Sequence, residues 1–470
     1  MIDLINGRQV LVIGMGRSGL AAVDLLVRHG ASEIIVNDLK KAEQLEKECA
    51  WLERFPMVRV VTGDNPANLI TPALSLVIKS PGIPPSLKLL QIARENKVKI
   101  ISEVELAYNF ARAPMIGVTG SNGKTTTTAL IAAMLKRAGF EPVVSAGNIG
   151  NPLSSVVDKV DAQGVIVVEL SSFQLEDIVN FRPVVAVFLN IVEDHLDYHG
   201  SMENYINAKK RIFSNQQKKD VAVINAGDPV VSSLKSFIRG NVLYFQDTVV
   251  KCGVGLDQGL ITVFNPGSLP QPLCKPEEVA LPGQHNLENA MAAAAAAWAF
   301  GADREAIRAT LLNFKSIEHR LEFVAMIKGV EYINDSKGTN PGSTIKALRS
   351  YPGRNKIIIA GGKDKKSDFY DLALVIKEET RLVLLIGETK NILAGALKKI
   401  GFNNYKLLST LGEAVAVAKK EAKAGEMVIL SPACASWDMF TDYEERGNLF
   451  KKLVTSQCHL NAPGGLNNEQ

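Results

Sequence analysis

Short apolar runs alternate with helix-length stretches along most of the chain. Val10–Ile13, Glu33–Asn37, Arg59–Thr62, Leu76–Lys79 and Lys99–Ile101 read as strands with helical segments between them. Strands that are apolar throughout belong to parallel sheets covered on both faces. Residues 1–112 are therefore expected to form a doubly wound domain, with Ala113-Pro114 as the junction. A second series runs through Met115–Thr119, Gly164–Glu169, Val184–Asn190 and Val221–Asn225. Turns and short strands fill 240–282, and Asn286–Phe300 reads as a long helix. A third series, Tyr332–Asn334, Lys356–Ala360, Leu382–Ile386 and Met427–Leu430, follows Glu318-His319-Arg320. The pattern predicts an α/β protein of three domains, 1–112, 113–317 and 318–470, with no internal repeat.

Composition narrows the function classes. The 470 residues are 46% hydrophobic and 22% charged, with a net charge of +4. That supports full cores, and without a basic stripe or polybasic tail no nucleic-acid partner is expected. Cys49, Cys252, Cys274, Cys434 and Cys458 are scattered with no CxxC pair. Neither a disulfide framework nor a structural zinc site follows. The N-terminus, MIDLINGRQVLVIG, lacks a secretory signal, and the Ala-rich run at 290–300 is too short to span a bilayer. A cytoplasmic protein without membrane insertion is expected.

Two glycine loops suggest chemistry. Gly14-Met15-Gly16-Arg17-Ser18-Gly19 follows a strand and precedes a helix, and Asp38 ends the next strand. Such a turn lets backbone approach a diphosphate at a helix N-terminus. NAD, another nucleotide, or no ligand fits this motif taken alone. The second loop, Gly120-Ser121-Asn122-Gly123-Lys124-Thr125, lies between strand Met115–Thr119 and the helical stretch Thr126–Arg137. It is one residue shorter than the common phosphate-loop spelling, yet every part is in order. Backbone N–H groups would cradle phosphates, Lys124 would reach the terminal ones, and the Thr125 hydroxyl would ligate Mg²⁺.

This T-G-S-N-G-K-T loop resembles the ATP loop of the Mur ligases and the related folylpolyglutamate synthetases. The resemblance extends over nearly the whole chain. It implies a Rossmann-like N-terminal domain, a central P-loop ATPase-like domain and a Rossmann-like C-terminal domain. It also implies ATP-dependent amide-bond formation with two Mg²⁺ ions. Glu169, in VVELSSFQL, matches the ligand of the first magnesium, and His195, in NIVEDHLDYHG, that of the second. Asp194 and Asp197 flank His195, whereas His199 has no match and is expected on the surface. Lys209, in ENYINAKKRIF, falls where the family has a lysine carbamylated by CO₂, which turns a cation into an oxygen anion for Mg²⁺. Lys210 would point elsewhere on the helix. In GQHNLENA, Asn289 matches the residue at the nucleotide base; Asn286 is a cap or shares its face. Arg320 and Asp335 match positions at the ATP phosphates and ribose, and Lys337 one near the transferred phosphate. Thr126 completes the ATP loop. The resemblance thus spreads the ATP residues over two domains, and closure on ATP would exclude water from a labile intermediate.

The block Ser431-Pro432-Ala433-Cys434-Ala435-Ser436-Trp437-Asp438-Met439-Phe440, followed by Tyr443-Glu444-Glu445-Arg446-Gly447, is similar to that of the D-glutamate-adding Mur ligases. Those members act on UDP-N-acetylmuramoyl-L-alanine in peptidoglycan precursor synthesis, through an acyl phosphate. The similarity implies that Ser436, Tyr443, Thr339 and Lys365, flanked by Lys363 and Lys366, border D-glutamate. The family commonly has Phe at the position of Tyr443. The Gly14–Gly19 loop would then hold the substrate diphosphate, with Arg17 and Ser18 beside it and Asp38 near the uracil. Ser80, in Ser80-Pro81-Gly82, and Asn148 would contact the same substrate. Cys434 is expected to be packing, and the enzyme a monomer. A folate ligase, an NAD oxidoreductase and a non-catalytic nucleotide-binding protein are the competing readings.

Overall fold

The computed structural model describes residues 5–148, 150–314, 318–364 and 367–456. Lys365, Lys366, Cys458 and the polar tail lie outside them, as does the side chain of Asp197.

The first sheet contains β1 (Gln9–Ile13), β2 (Glu33–Asp38), β3 (Val58–Thr62), β4 (Leu74–Lys79) and β5 (Lys99–Ser102). All its pairs are parallel, in the order β3-β2-β1-β4-β5. The strand order reverses between β1 and β4, so a crevice opens at their carboxyl ends. Gly14 follows β1 and Ser80 follows β4, and each therefore borders that crevice.

The second sheet contains β6 (Met115–Thr119), β7 (Val143–Gly147), β8 (Val165–Glu169), β9 (Val185–Phe188) and β10 (Val221–Asn225). It continues with β11 (Asn241–Phe245), β12 (Gly253–Asp257), β13 (Leu260–Phe264) and β14 (Gln271–Cys274). The order is β14-β13-β12-β11-β10-β9-β6-β8-β7, antiparallel only at β12-β13-β14. β6 lies between β8 and β9, so the loop after it emerges between their ends.

The third sheet contains β15 (Glu322–Ile327), β16 (Val330–Asn334), β17 (Lys356–Ala360), β18 (Thr380–Leu385), β19 (Tyr405–Leu407) and β20 (Met427–Leu430). Its order is β15-β16-β20-β17-β18-β19, with only β15 antiparallel to its neighbour. Alternate residues of one strand face opposite sides of a sheet. Accordingly Ile333, Ile358, Val383 and Ile429 pack in one cluster, and Tyr332, Ile357, Leu382 and Val428 in another. Both faces are covered, which is why these strands read as continuous apolar runs.

The chain forms two compact units. One holds the first two sheets and helix residues Asn286–Phe314; the other holds Leu281–His285 and the third sheet. In the first unit a single apolar cluster runs from Val10, Val12 and Ile78 to Ile166, Ala186 and Phe188. Polar anchors reinforce it. The buried Glu105 carboxylate accepts from the backbone N–H groups of Val179, Asn180 and Phe181 at 2.9–3.0 Å. Three N–H groups, that of Asn180 shared between the two oxygens, thus satisfy the buried acceptors. Glu103 accepts from the Ser154 N–H at 2.6 Å, and burial pushes its carboxyl above the usual carboxylate range.

Candidate active site

The Gly14–Gly19 turn is shaped by its neighbours. Gly14 has φ +97°, and a Cβ there would lie 2.9 Å from Ser80 Cβ. A Cβ on Gly19 would lie 1.9 Å from the Gly14 carbonyl oxygen, so the helix start needs a glycine to pack on the turn. Ser80 Oγ donates to the Gly14 carbonyl at 3.3 Å. Asp38 pins the loop by accepting from the Met15 N–H at 2.8 Å and the Lys40 N–H at 3.0 Å. Arg17 is exposed and Ser18 half-buried at the start of helix Arg17–Arg28.

The second loop is held from below by Asn190, just beyond β9. The Asn190 carbonyl accepts from the Ser121 N–H at 2.9 Å, and its side-chain oxygen from the Asn122 N–H at 2.9 Å. Its amide donates back to the Asn122 carbonyl at 3.1 Å. Gly123, at φ +87°, caps helix Lys124–Arg137, whose first N–H groups face the loop. Lys124 Nζ curls over the loop, 2.9 Å from the carbonyls of Gly120 and Ser121. Thr125 and Thr126 are buried in the first helical turn.

Gly123 has a second constraint. A Cβ there would come within 2.1 Å of Asn289 Oδ1. Asn289 lies in helix Gln284–Phe300 and donates to Asn286 Oδ1 at 3.3 Å. Asn286 is therefore an interior helix residue that orients Asn289, rather than a cap. Gly123→Ala is expected to displace Asn289 and to strain the backbone by about 1–2 kcal/mol. Nucleotide affinity should fall at least tenfold in a titration with an ATP analogue, and unchanged affinity would contradict this role.

Glu169 ends β8 and is 3% exposed. Its Oε1 accepts from Asn148 Nδ2 at 2.9 Å, whereas Oε2 is buried with no hydrogen-bond partner among the described residues. A buried carboxylate oxygen left so is costly, and a hard cation satisfies it. Lys209 Nζ donates to the Gly120 carbonyl at 2.9 Å and lies 4.8 Å from the Tyr205 ring. Burial, then the Lys124 charge, lowers its pKa well below the usual lysine range, with Asp194 and Glu169 opposing. Lys210 instead lies over the Phe237 ring. Tyr205 is buried beside the loop, its hydroxyl 3.0 Å from Ser121 Oγ.

His195 has a left-handed backbone, φ 53°, and a half-exposed ring edge-on to Phe173. Among the described residues no three His, Cys, Asp or Glu side chains gather as a ready metal cluster. Mg²⁺ takes one or two protein carboxylates and fills its shell with phosphate oxygens and waters. His199 corrects the expectation of a surface residue. It is 7% exposed, with Nε2 2.9 Å from Ser172 Oγ, and burial lowers its pKa.

In the other unit the strand ends of β16 and β20 meet. Asp335 is buried, accepting from Ser431 Oγ at 2.7 Å and the Leu321 N–H at 3.4 Å. Burial raises its pKa to about 6 despite Ser431 and Arg320. Lys337 Nζ lies 5.4 Å from the Tyr443 ring centre, and the Thr339 N–H donates to the Lys337 carbonyl. Ser436 is buried. The buried Arg446 binds both segments. It donates to Ser336 Oγ at 3.0 Å and the Ser336 carbonyl at 2.8 Å, and to the Cys434 and Ala435 carbonyls at 3.3 and 3.4 Å. Cys434 is buried against Thr389 and its thiol pKa is pushed up to about 11, chiefly by burial, as packing requires. Asn190, Tyr205 and Arg446 were not singled out from sequence as site residues; only the position of Asn190 at a strand end hinted at its role.

The raised Asp335 pKa has a pH consequence. Between about pH 4 and about pH 6 the unfolded chain loses this proton while the folded protein keeps it. Its contribution to stability is therefore full below that window and falls as pH rises through it. Asp335→Asn is expected to flatten this part of the stability–pH curve, measured by thermal unfolding at pH 4, 5 and 6. A parallel curve would contradict the assignment.

Comparison with known proteins completes the picture. Residues 8–102 match the Mur ligase MurD-like N-terminal domain, 118–297 the Mur ligase middle domain, and 319–434 the Mur ligase glutamate ligase domain. The UDP-N-acetylmuramoylalanine–D-glutamate ligase of Pelotomaculum thermopropionicum is 45% identical over 457 residues, covering 97% of this chain and 99% of its own. The enzyme of that name from Clostridioides difficile is 41% identical, covering 96% and 99%. Among solved structures, the UDP-N-acetylmuramate–alanine ligase MurC of Thermotoga maritima superposes with a TM-score of 0.58 at 19% identity, covering 95% and 98%. The MurF ligase of Thermotoga maritima, solved with ADP, gives 0.57 at 18%, covering 97% and 96%. These structures share the fold, and the relatives narrow it further: the chain belongs to the Mur ligase family, among its UDP-N-acetylmuramoylalanine–D-glutamate ligases.

Proposed function

We propose that the chain is an ATP-dependent ligase that joins D-glutamate to UDP-N-acetylmuramoyl-L-alanine in peptidoglycan precursor synthesis. The relatives' names point to this reaction. The observation that carries it is Glu169, whose buried, unpartnered oxygen lies beside a phosphate loop and an amine of depressed pKa. An NAD oxidoreductase would leave that constellation without a task. The family match covers all three parts of the chain, which argues against a folate ligase.

The division of labour follows the domains at 1–112, 113–317 and 318–470. The turn at Gly14, with Arg17, Ser18, Asp38 and Ser80, takes the UDP portion, and Asn148 the sugar side. Gly120–Thr126 and Lys124 take the ATP phosphates, and Asn289 the base. Arg320, Asp335 and Lys337 act on ribose and phosphate. Thr339, Ser436, Tyr443 and Lys365 recognise D-glutamate. Thr125, Glu169, His195 and a Lys209 carbamate fit as the holders of Mg²⁺, whose charge would offset that of the phosphates when bound.

The reaction is a double displacement. The substrate carboxylate oxygen attacks the γ-phosphorus of ATP, the bond to ADP breaks, and an acyl phosphate forms. The D-glutamate amine then attacks the acyl carbon. The tetrahedral adduct collapses with loss of phosphate, which keeps the original carboxylate oxygen, and the amine loses a proton. Lys124 and Lys337 balance charge on the transferred group, and the loop fixes its position. Substrate labelled with ¹⁸O in its carboxylate tests this directly. One label should appear in inorganic phosphate. Phosphate free of label, with product formed, would rule out the acyl phosphate.

The enzyme would work as a cytoplasmic monomer. No helix among the described residues is long and apolar enough to cross a membrane.

A further inference from the structure

Lys79 is the last residue of β4, directly before the Ser80 turn, and is 1% exposed. It pairs with Asp177 at 2.6 Å and Glu176 at 3.0 Å. Burial works against this charge, but the two acids outweigh it and hold the lysine charged. A buried ion group of this kind is weak evidence for stability alone. It gains meaning from the hydroxyl it also touches. Tyr198 Oη lies 3.1 Å from Lys79 Nζ, 2.8 Å from Glu176 Oε2 and 3.1 Å from the Ile83 carbonyl. It has one proton and two acceptors, Glu176 and Ile83. Ile83 closes the Ser80 turn, its N–H donating to the Ser80 carbonyl at 3.3 Å, so one of the two acceptors belongs to that turn.

The other end of Tyr198 leads towards the phosphate loop through a series of aromatic contacts. Its N–H donates to the His195 carbonyl at 3.1 Å, helping to hold the left-handed His195. Its ring meets Phe173 edge-on at 4.5 Å, and Phe173 packs against both His195 and His199. His199 then contacts Tyr205, whose hydroxyl touches Ser121. Contacts thus run unbroken from the first-sheet crevice to the phosphate loop, all within one compact unit.

We propose that Tyr198 is a positioning residue that couples occupancy of the first-sheet crevice by the nucleotide sugar to nucleotide binding at the phosphate loop. The proposal rests on the ligase reading above. Spatial continuity is not itself coupling, which has to be measured as a change in affinity. The variant Tyr198→Phe keeps the ring and removes only the hydroxyl.

The dissociation constant of a non-hydrolysable ATP analogue with Mg²⁺ is measured by calorimetry, with and without saturating UDP-N-acetylmuramoyl-L-alanine. In the wild type the two values should differ at least about fivefold. In Tyr198→Phe they should agree within about twofold, while affinity for each ligand alone changes less than about threefold. A merely structural role would weaken both ligands and leave the ratio intact. A wild-type ratio of one, or a variant that keeps the wild-type ratio, overturns the coupling and spares the ligase. A wild type that binds neither ligand overturns the ligase reading and the coupling with it.

Discussion

Lys124→Ala is expected to abolish turnover, with kcat reduced at least about a thousandfold, while affinity for UDP-N-acetylmuramoyl-L-alanine stays within about twofold. Lys124 Nζ lies over the loop, within 2.9 Å of the Gly120 and Ser121 carbonyls. In the proposed reaction it is the loop's own cation at the point where negative charge is transferred. The nucleotide sugar is assigned to the other crevice of the same unit, between β1 and β4. Binding there is measured by titration calorimetry without ATP, and turnover by phosphate release. Equal loss of both would refute the assignment of two sites.

Lys209→Ala should also silence the enzyme, by at least about a hundredfold, and small carboxylates such as acetate should restore part of the rate. The amine that adds CO₂ is the neutral one. Lys209 is 2% exposed, and burial with the Lys124 charge lowers its pKa, so it reaches the neutral form at lower pH than an ordinary lysine. Addition of CO₂ to that amine forms a C–N bond and releases a proton, leaving two oxygens near Glu169. Acetate in the space left by Lys209→Ala would supply similar oxygens. With ¹³C-bicarbonate, wild type should show a carbamate carbon signal that the variant lacks. A variant with full activity and no need of rescue would show that Lys209 is dispensable.

The parts of this account that sequence made legible share a physical origin. Strands β1, β4, β6, β8, β17 and β20 are buried on both faces, so burial wrote them as unbroken apolar runs. The glycines at 14, 19, 120 and 123 stand where backbone or a neighbouring side chain comes too close for a Cβ. Such constraints are local and show in the residue type.

Other features were hidden because their cause is tertiary. β7 reads VVSAG and ends in small residues, β15 is a half-exposed edge strand, and β19 has three residues. None bears a clear period, and none was expected. His199 looked like a surface residue because nothing in its local sequence announces the aromatic cluster that buries it. Arg446 was visible only as a letter in a matched block. Its grip on the segments 336 and 434–435 exists only once β16 and β20 lie side by side. Lys79 likewise reads as an ordinary strand-end lysine until Glu176 and Asp177 meet it from another domain.

The decisive measurement is phosphate release from ATP with UDP-N-acetylmuramoyl-L-alanine, across a panel of amino acids that includes both enantiomers of glutamate. Release is expected to require the nucleotide sugar and D-glutamate together, with L-glutamate inactive. Release with another amino acid would keep the ligase and discard the specificity assigned to Ser436 and Tyr443. No release with any member of the panel would contradict the ligase activity itself.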